Sequence, residues 1–424
     1  MTRMSENNLW QATVAETFNA ESLIEDLEVD FVIIGGGFTG CTAAIEARKQ
    51  GMSVCLLEAN NIGFGGSGRN VGLVNAGLWT PPDDVMSILG PEAGEKLNKA
   101  LSNGPSQVFK LIEEFDIKCE ATRNGTLHCA HSPKGFTDLE NRFAQQEKRD
   151  APVELLSAEE AAILTGASGV FGALLDRRAG TVQPLAYARG LARAAQQLGA
   201  KIYENSPAIY TSFENGLWSV KTTRGTVKAS YLLNATNAYM QGNIEHYSSS
   251  FTPVYYFQFA TKPLDDALLK VILPEKHGCW DTATVMSSFR RDAAGRLIMG
   301  SIGSLEKMGK GVHTSWIKRK LHKLFPQLKD TEFEYSWHGR IAMTDDHLPR
   351  LIQMGNSGIS MMGYNGRGIS PGTCMGTAIA KYFAHKDLSV LPIHPMASYL
   401  QSFNSIKEVY YETGASLTHM VKDY

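Results

Sequence analysis

A chain of 424 residues exceeds what one hydrophobic core usually organises, so two domains or one large elaborated unit are expected. Its 43% hydrophobic and 20% charged residues and formal charge of −2 are those of a globular enzyme; no basic run interleaved with aromatics calls for nucleic acid, and no apolar stretch approaches the ~18–20 residues of a membrane span. Six scattered cysteines without C-x-x-C spacing suggest reduced thiols and no zinc site, and the polar segment 1–28 is unlike a leader, so a cytoplasmic protein is expected, with loose association with the inner face of a membrane left open.

Residues 1–28 read as an arm, with Leu9-Trp10 tucked against the body. Val29, Phe31, Val32, Ile33 and Ile34 then form a run of β-formers ending in Gly35, Gly37 and Gly40, and a helix is expected from about Thr39. This is the strand–turn–helix of a dinucleotide-binding βαβ unit. Gly35 permits the tight turn, Gly37 lets a pyrophosphate approach the backbone, and Gly40 lets helix and strand pack closely. The helix N-terminus offers free N–H groups to phosphates. A second strand over 53–57 ends at Glu58, eighteen residues beyond Gly40, whose carboxylate suits ribose hydroxyls. A lone G-x-G-x-x-G is a weak signal, and a Gly-rich β-turn in an unrelated α/β protein is the plain alternative. The flanking elements and the acid at the right distance favour dinucleotide binding.

A glycine-rich connection over 62–77 contains Gly63-Phe-Gly-Gly-Ser-Gly-Arg-Asn-Val-Gly72, where Ser67, Arg69 and Asn70 add donors to a loop able to wrap an anion or ring edge. Residues 91–115 read as two helices broken near Gly104-Pro105. Ser157-Ala-Glu-Glu160 is a capping box opening a helix to Leu164. A helix over 184–198 has Pro in its first turn and Gly199 past its end, and 201–204 returns as a strand. Residues 217–222 and 226–229 alternate as a hairpin, and Tyr231-Leu-Leu-Asn234 is a short buried strand. Residues 252–260, 287–291 and 296–299 look like strands of an antiparallel sheet. A helix over 314–325 and a strand over 359–362 follow. Gly363-Tyr-Asn-Gly-Arg-Gly-Ile369 then leads into a helix over 372–385.

Strand–helix alternation at 29–60, 184–235 and 359–385, with β-rich sequence between, predicts a mixed α/β and α+β protein. A Rossmann-like domain is expected from 29–85, 151–250 and 338–390, with an inserted antiparallel-sheet substrate domain from 86–150 and 251–337, and a C-terminal extension over 391–424. The fingerprint alone does not separate FAD from NAD. A nicotinamide domain has no need of a second glycine cluster after Glu58, whereas a long cofactor held near both chain ends accounts for all three clusters. Each late cluster alone reads equally well as a surface loop.

The chain resembles the D-amino-acid-oxidase-like FAD oxidoreductases, which include sarcosine, glycine and γ-glutamylputrescine oxidases. The resemblance is carried by Gly35-Gly-Gly-Phe-Thr-Gly40, Gly66-Ser-Gly-Arg-Asn70, Gly180-Thr-Val-Gln-Pro184, Ala235-Thr-Asn-Ala-Tyr239, Arg296-Leu-Ile-Met-Gly300, Trp337-His-Gly-Arg340 and the cluster from Gly363. Gly68-Arg-Asn-Val-Gly-Leu-Val-Asn-Ala-Gly77, Pro82-Asp-Asp-Val85, Gly125-Thr-Leu-His128 and Leu174-Leu-Asp-Arg-Arg-Ala-Gly-Thr181 are most similar to the bacterial L-pipecolate oxidases of that family. The resemblance implies FAD with its pyrophosphate on the first turn and its ribose on Glu58. It implies cofactor contacts from Gly35, Gly37, Phe38, Thr39, Gly40, Ala59, Gly66, Ser67, Gly68, Arg69, Asn70, Val71, Gly72, Ala208, Ala235, Thr236, Gly366, Arg367, Gly368 and Ile369. It also implies oxidation of a secondary amine or amino acid, L-pipecolate to piperideine-6-carboxylate above all, by hydride transfer to flavin N5, with oxygen or a respiratory acceptor taking the electrons. γ-Glutamylputrescine or another N-substituted amine is the alternative substrate, and a flavin-bound electron-relay subunit is the alternative role. Relatives with covalent FAD use a Cys that has no counterpart over 337–364 here, so the implied FAD is non-covalent.

A substrate carboxylate needs a cation, and Arg suits it through its fork. Arg367 is the candidate clamp, with a flavin contact or a neighbouring carboxylate as its other readings. Related sarcosine oxidases have His there and a Lys shortly after, where this chain has Ser370, so their clamp does not carry over. Arg69 reads as a flavin or pyrophosphate contact. Of Arg290 and Arg291, and of Tyr255 and Tyr256, strand alternation lets only one face a cavity, and the second arginine is expected in solvent. Tyr256 is the substrate-side candidate, against ordinary sheet packing. His338 is a candidate base, against a structural histidine, and neutral amine binding makes a base unnecessary. His128 receives no role, and Asp345-Asp346-His347 reads as loop capping rather than a metal site.

Overall fold

The apolar run Val29 to Ile34 lies within the Leu27–Ile34 strand, at the centre of a nine-stranded sheet. It pairs in parallel with Val54–Leu57 on one side and with Thr226–Asn234 on the other, and Lys201–Tyr203 and Gly358–Met362 extend these pairings. The structure is a computed structural model and describes residues 7–244, 247, 249–306 and 309–422. Central parallel strands are covered on both faces, which is why they read as unbroken apolar sequence. Phe31, Ile33 and Leu56 pack under the helices Phe38–Lys49, Pro184–Gln197 and Ile369–His385. Val32, Ile34, Cys55 and Leu57 pack under Trp218 and Val220 of the Tyr210–Glu214/Leu217–Lys221 hairpin.

The second sheet has eight strands, in spatial order Phe333–Met343, Thr252–Pro263, Arg296–Ile302, Ser287–Arg291, Gly278–Asp281, Thr126–Cys129, Ala173–Asp176 and Val153–Leu156. Alternation sorts its faces. Phe257, Phe259 and Phe289 point to a core shared with Trp316, Ile317 and Leu321 of the Gly309–Leu324 helix, whereas Tyr256, Gln258, Ser288 and Trp280 face the cavity between the sheets.

Several expectations are corrected. Ala173–Asp176 joins the second sheet by pairing with Thr126–Cys129, and Val153–Leu156 pairs with Ala173–Asp176 as the edge strand, so the start of the 151–250 piece does not belong with the nucleotide-binding sheet. Helices Pro91–Ser102 and Gly104–Glu114 pack in the opposite sense, since Leu97, Leu101, Val108 and Phe109 share the core of Ile33 and Leu56. Thr226–Asn234 is one nine-residue strand rather than two short ones. The last glycine cluster runs straight into the Ile369–His385 helix, because Pro371 sits in a first turn whose N–H groups lack partners anyway. Arg290 and Arg291 are both buried; Arg290 Nη1 donates to the Val182 carbonyl at 2.5 Å and Arg291 Nη1 to that of Leu269 at 2.7 Å, and neither lines the cavity.

Candidate active site

One cavity of about 1110 Å³ runs between the two sheets, and all three glycine clusters open onto it. At the first, Gly35 has φ +109°, and a Cβ there would lie 3.0 Å from the Ala235 carbonyl oxygen. A Cβ on Gly37 would meet Ser67 Oγ at 2.8 Å, and one on Gly40 would meet the Gly35 carbonyl oxygen at 2.0 Å. The turn is therefore tight, its rim is bare, and the helix starting at Phe38 is pressed onto the strand, as a phosphate cradle requires. Glu58 accepts the N–H of Gly36 at 2.8 Å and of Asn60 at 2.9 Å. Burial raises its pKa, and those bonds partly oppose the rise.

Gly35, Gly37, Phe38, Thr39, Glu58, Ala59, Gly66, Ser67, Arg69, Asn70, Val71, Ala208, Ala235, Thr236, Gly366, Arg367, Gly368 and Ile369 all line the cavity. Gly40, Gly68 and Gly72 do not. They serve close packing instead, since a Cβ on Gly68 would meet the Gly63 carbonyl oxygen at 2.2 Å and one on Gly72 that of Val182 at 2.1 Å. Asn70 spends its amide on the loop itself, donating to the carbonyls of Gly66 and Ser67 at 2.9 and 3.0 Å and accepting from the Gly72 N–H at 2.8 Å. The arm braces the same loop from behind. Asn8 Nδ2 donates to the Gly68 carbonyl, and Trp10 Nε1 to that of Asn70, while the Trp10 and Trp337 rings meet edge to face at 5.7 Å.

Four arginines, Arg69, Arg142, Arg340 and Arg367, line this cavity, and none forms an ion pair among the described residues. Nη1 of Arg69 and Nε of Arg340 are buried without a hydrogen-bond partner there. Arg367 Nη1 reaches the Ala76 carbonyl at 3.2 Å, and its guanidinium lies 5.0 Å over the Trp280 ring. Burial, and then the Arg142 cation, push it down to about 9. Arg142, on the Pro133–Glu147 helix, donates to the Trp79 carbonyl. Trp280 in turn stacks on His128 at 4.8 Å, and burial holds His128 well below its ordinary range. Unpaired guanidiniums inside a protein are costly, so this is a cavity built for anionic contents.

Tyr256 faces the cavity with its hydroxyl 3.0 Å from Ser288 Oγ, and Tyr255 does not line it. Gln258, beside it, is buried, and its Oε1 has no hydrogen-bond partner among the described residues. His338 is turned away from the cavity, with Nε2 3.7 Å from Glu306 Oε1, and burial pushes it down to about 4. It has no access to a substrate there. His347 lines the cavity stacked on Trp79 at 5.2 Å, while Asp345 holds Lys407 and Asp346 holds Arg350. Arg142, Gln258, Trp79 and His128 are the residues that sequence reasoning missed. The Pro133–Glu147 helix that carries Arg142, capped by Ser132, was not among the expected elements, and neither was the turn that faces the cavity.

The bare glycine turn, the carboxylate at the second strand end and the orphaned guanidinium donors fit a flavin dinucleotide. Comparison with known proteins agrees. The chain is 28% identical over 372 residues to a probable oxidoreductase OrdL of Haemophilus influenzae, covering 86% of this chain and 85% of that one. It is also 28% identical over 363 residues to the gamma-glutamylputrescine oxidoreductase of Escherichia coli, covering 85% of each. Among solved structures, glycine oxidase from Geobacillus kaustophilus shares the fold with a TM-score of 0.69 at 19% identity, over 85% of this chain and 95% of that one. L-proline dehydrogenase from P. horikoshii does so with a TM-score of 0.68 at 22% identity, over 85% and 94%. The model of the family of FAD-dependent oxidoreductases matches residues 30–382, and the chain belongs to that family.

Proposed function

We propose that this enzyme oxidises the carbon–nitrogen bond of a secondary amino acid, with L-pipecolate as the preferred reading and γ-glutamylputrescine as the alternative. The observation that carries it is the corner of the cavity where Arg367 and Arg142 form no ion pair among the described residues and lie with the Trp280 and His128 rings, Asp84 and Asp138 acting on Arg142 only at longer range. That corner suits a carboxylate attached next to the reacting carbon, with apolar ring atoms against Trp280. FAD supplies the acceptance of hydride at N5 when bound, and Gly35, Gly37, Glu58, the Gly66–Asn70 loop and Gly366–Ile369 are the residues to hold it. Gln258 Oε1, without a hydrogen-bond partner among the described residues, can accept an amine N–H, which orients the nitrogen. No base is required of His338. The cavity lining contains no cysteine, which supports non-covalent FAD.

The test is anaerobic mixing of the purified holoenzyme with L-pipecolate, D-pipecolate, L-proline, sarcosine and γ-glutamylputrescine. Rapid bleaching of the flavin by L-pipecolate, and slow or no bleaching by γ-glutamylputrescine, is expected. The reverse order would replace this reading with the alternative.

A further inference from the structure

The C-terminal helix Asn404–Val421 has two apolar faces, although a surface helix needs only one. Its inner side is accounted for. Tyr411 reaches the cavity lining, Ala415 is buried, and His419 is sandwiched against Trp316 at 3.9 Å with its Nδ1 2.8 Å from that of His313. Among the described residues, the outer side has no such partner. Ile406, Val409, Tyr410, Leu417 and Val421 are 65%, 64%, 72%, 58% and 80% exposed. At 100° per residue these side chains, with Met420, share one arc of about 120°, broken only by Thr413. Phe403, 72% exposed, prolongs the stripe past the helix start. A contiguous exposed apolar stripe of this kind marks a docking surface.

The charge beside it selects the occupant. The neighbouring Gly309–Leu324 helix carries Lys310, Lys318, Arg319, Lys320, His322 and Lys323 and no carboxylate. Arg319 donates to the His419 carbonyl at 2.6 Å, so this cationic helix packs against the C-terminal half of the Asn404–Val421 helix. Lys320 is buried on Asp281, while Lys310, Lys318, His322 and Lys323 are exposed. Glu412, by contrast, points inward, accepting the Ser304 N–H at 3.2 Å. A chain of net charge −2 thus gathers cations beside an apolar ridge. A second copy meeting the stripe about a twofold axis would bring two such cationic helices together, whereas anionic headgroups complement them.

We propose that the exposed face of the Asn404–Val421 helix, with the flanking lysines of the Gly309–Leu324 helix, seats the enzyme on an anionic lipid surface. The helix lies in the interface rather than crossing it, and no described helix is long and apolar enough to cross a membrane. This inference does not depend on which amine is oxidised.

The experiment is co-sedimentation of the holoenzyme with vesicles of phosphatidylethanolamine and phosphatidylglycerol, and with phosphatidylcholine vesicles as control. Binding to the anionic vesicles that weakens with salt is expected. Ile406→Ser/Val409→Ser/Leu417→Ser should lower partitioning at least tenfold with FAD content unchanged. Lys318→Glu/Lys323→Glu, which leaves the stripe intact, should remove the preference for phosphatidylglycerol. Failure of the wild-type holoenzyme to sediment with anionic vesicles at low salt overturns the proposal. A concentration-dependent dimer that the triple substitution dissolves would then identify a second copy as the occupant.

Discussion

Thr39 Oγ1 and the hydroxyl of Tyr364 meet at 2.5 Å across 325 positions of sequence, which joins the first glycine turn to the last. Burial pushes the Tyr364 phenol upward, so it keeps its proton through any practical assay pH. Tyr364→Phe leaves a buried threonine hydroxyl with one partner fewer. It is expected to cost about 1 kcal/mol, read as a lower denaturant midpoint with little change in slope.

Glu58 is already oriented by the N–H groups of Gly36 and Asn60, so its remaining acceptor capacity is aimed without reorganisation. If Glu58 holds the FAD ribose, Glu58→Gln removes charge from that bond and turns an amide toward a donor. A hydrogen bond to a charged group is worth about 1.5–3 kcal/mol, so FAD affinity should fall roughly ten- to hundredfold. Fluorescence titration of apoprotein with FAD measures it.

Arg367→Lys keeps the charge but loses the fork and the stacking on Trp280, and Arg142→Gln removes the second cation. Each should raise KM for a carboxylate substrate by about 30-fold, or ~2 kcal/mol, while leaving the limiting rate of flavin bleaching within a few-fold. An equal loss in both quantities would assign the arginine to the cofactor instead.

Buried histidines make acid the weak side of the fold. His419, pushed down to about 3 by burial and by His313, Lys320 and Arg319, stays neutral in the folded chain while its unfolded counterpart takes a proton near 6.5. His338, pushed to about 4, behaves likewise. The unfolded state then binds more protons, so stability falls as pH drops from about 6.5 toward 3–4, by up to ~1.4 kcal/mol per unit for each group. Thermal midpoints between pH 7 and 5 should show this, and His419→Gln should flatten the slope.

If FAD is non-covalent, acid precipitation should leave all yellow colour in the supernatant. Colour in the pellet would require an attachment residue that the cysteines do not supply, since all six are buried and outside the cavity lining.

What was legible followed local rules. Glycine spacing, a strand end and a capping box depend on neighbours in sequence, so the first turn, Glu58 and the helix capped by Ser157 stand where their residues imply. What was not legible depended on distant pairing. Val153–Leu156 is too short to declare its sheet, and only its partner Ala173–Asp176 decides it. Arg142 looks like any charged residue on a surface helix, and Arg290 like half of an exposed pair, until tertiary packing surrounds them. Gln258 differs from a packed polar residue only by the missing partner at Oε1.

The strand Gly358–Met362 and the helix behind it complete a cradle begun at Gly35, and a Cβ on Gly376 would meet the Thr39 carbonyl oxygen at 2.3 Å. During synthesis the first turn must therefore wait, emerged and incomplete, until more than three hundred further residues have left the ribosome. Flavin capture is thereby deferred until the Gly358–Met362 strand and the Ile369–His385 helix have emerged, and cells starved of riboflavin should accumulate a protease-sensitive form.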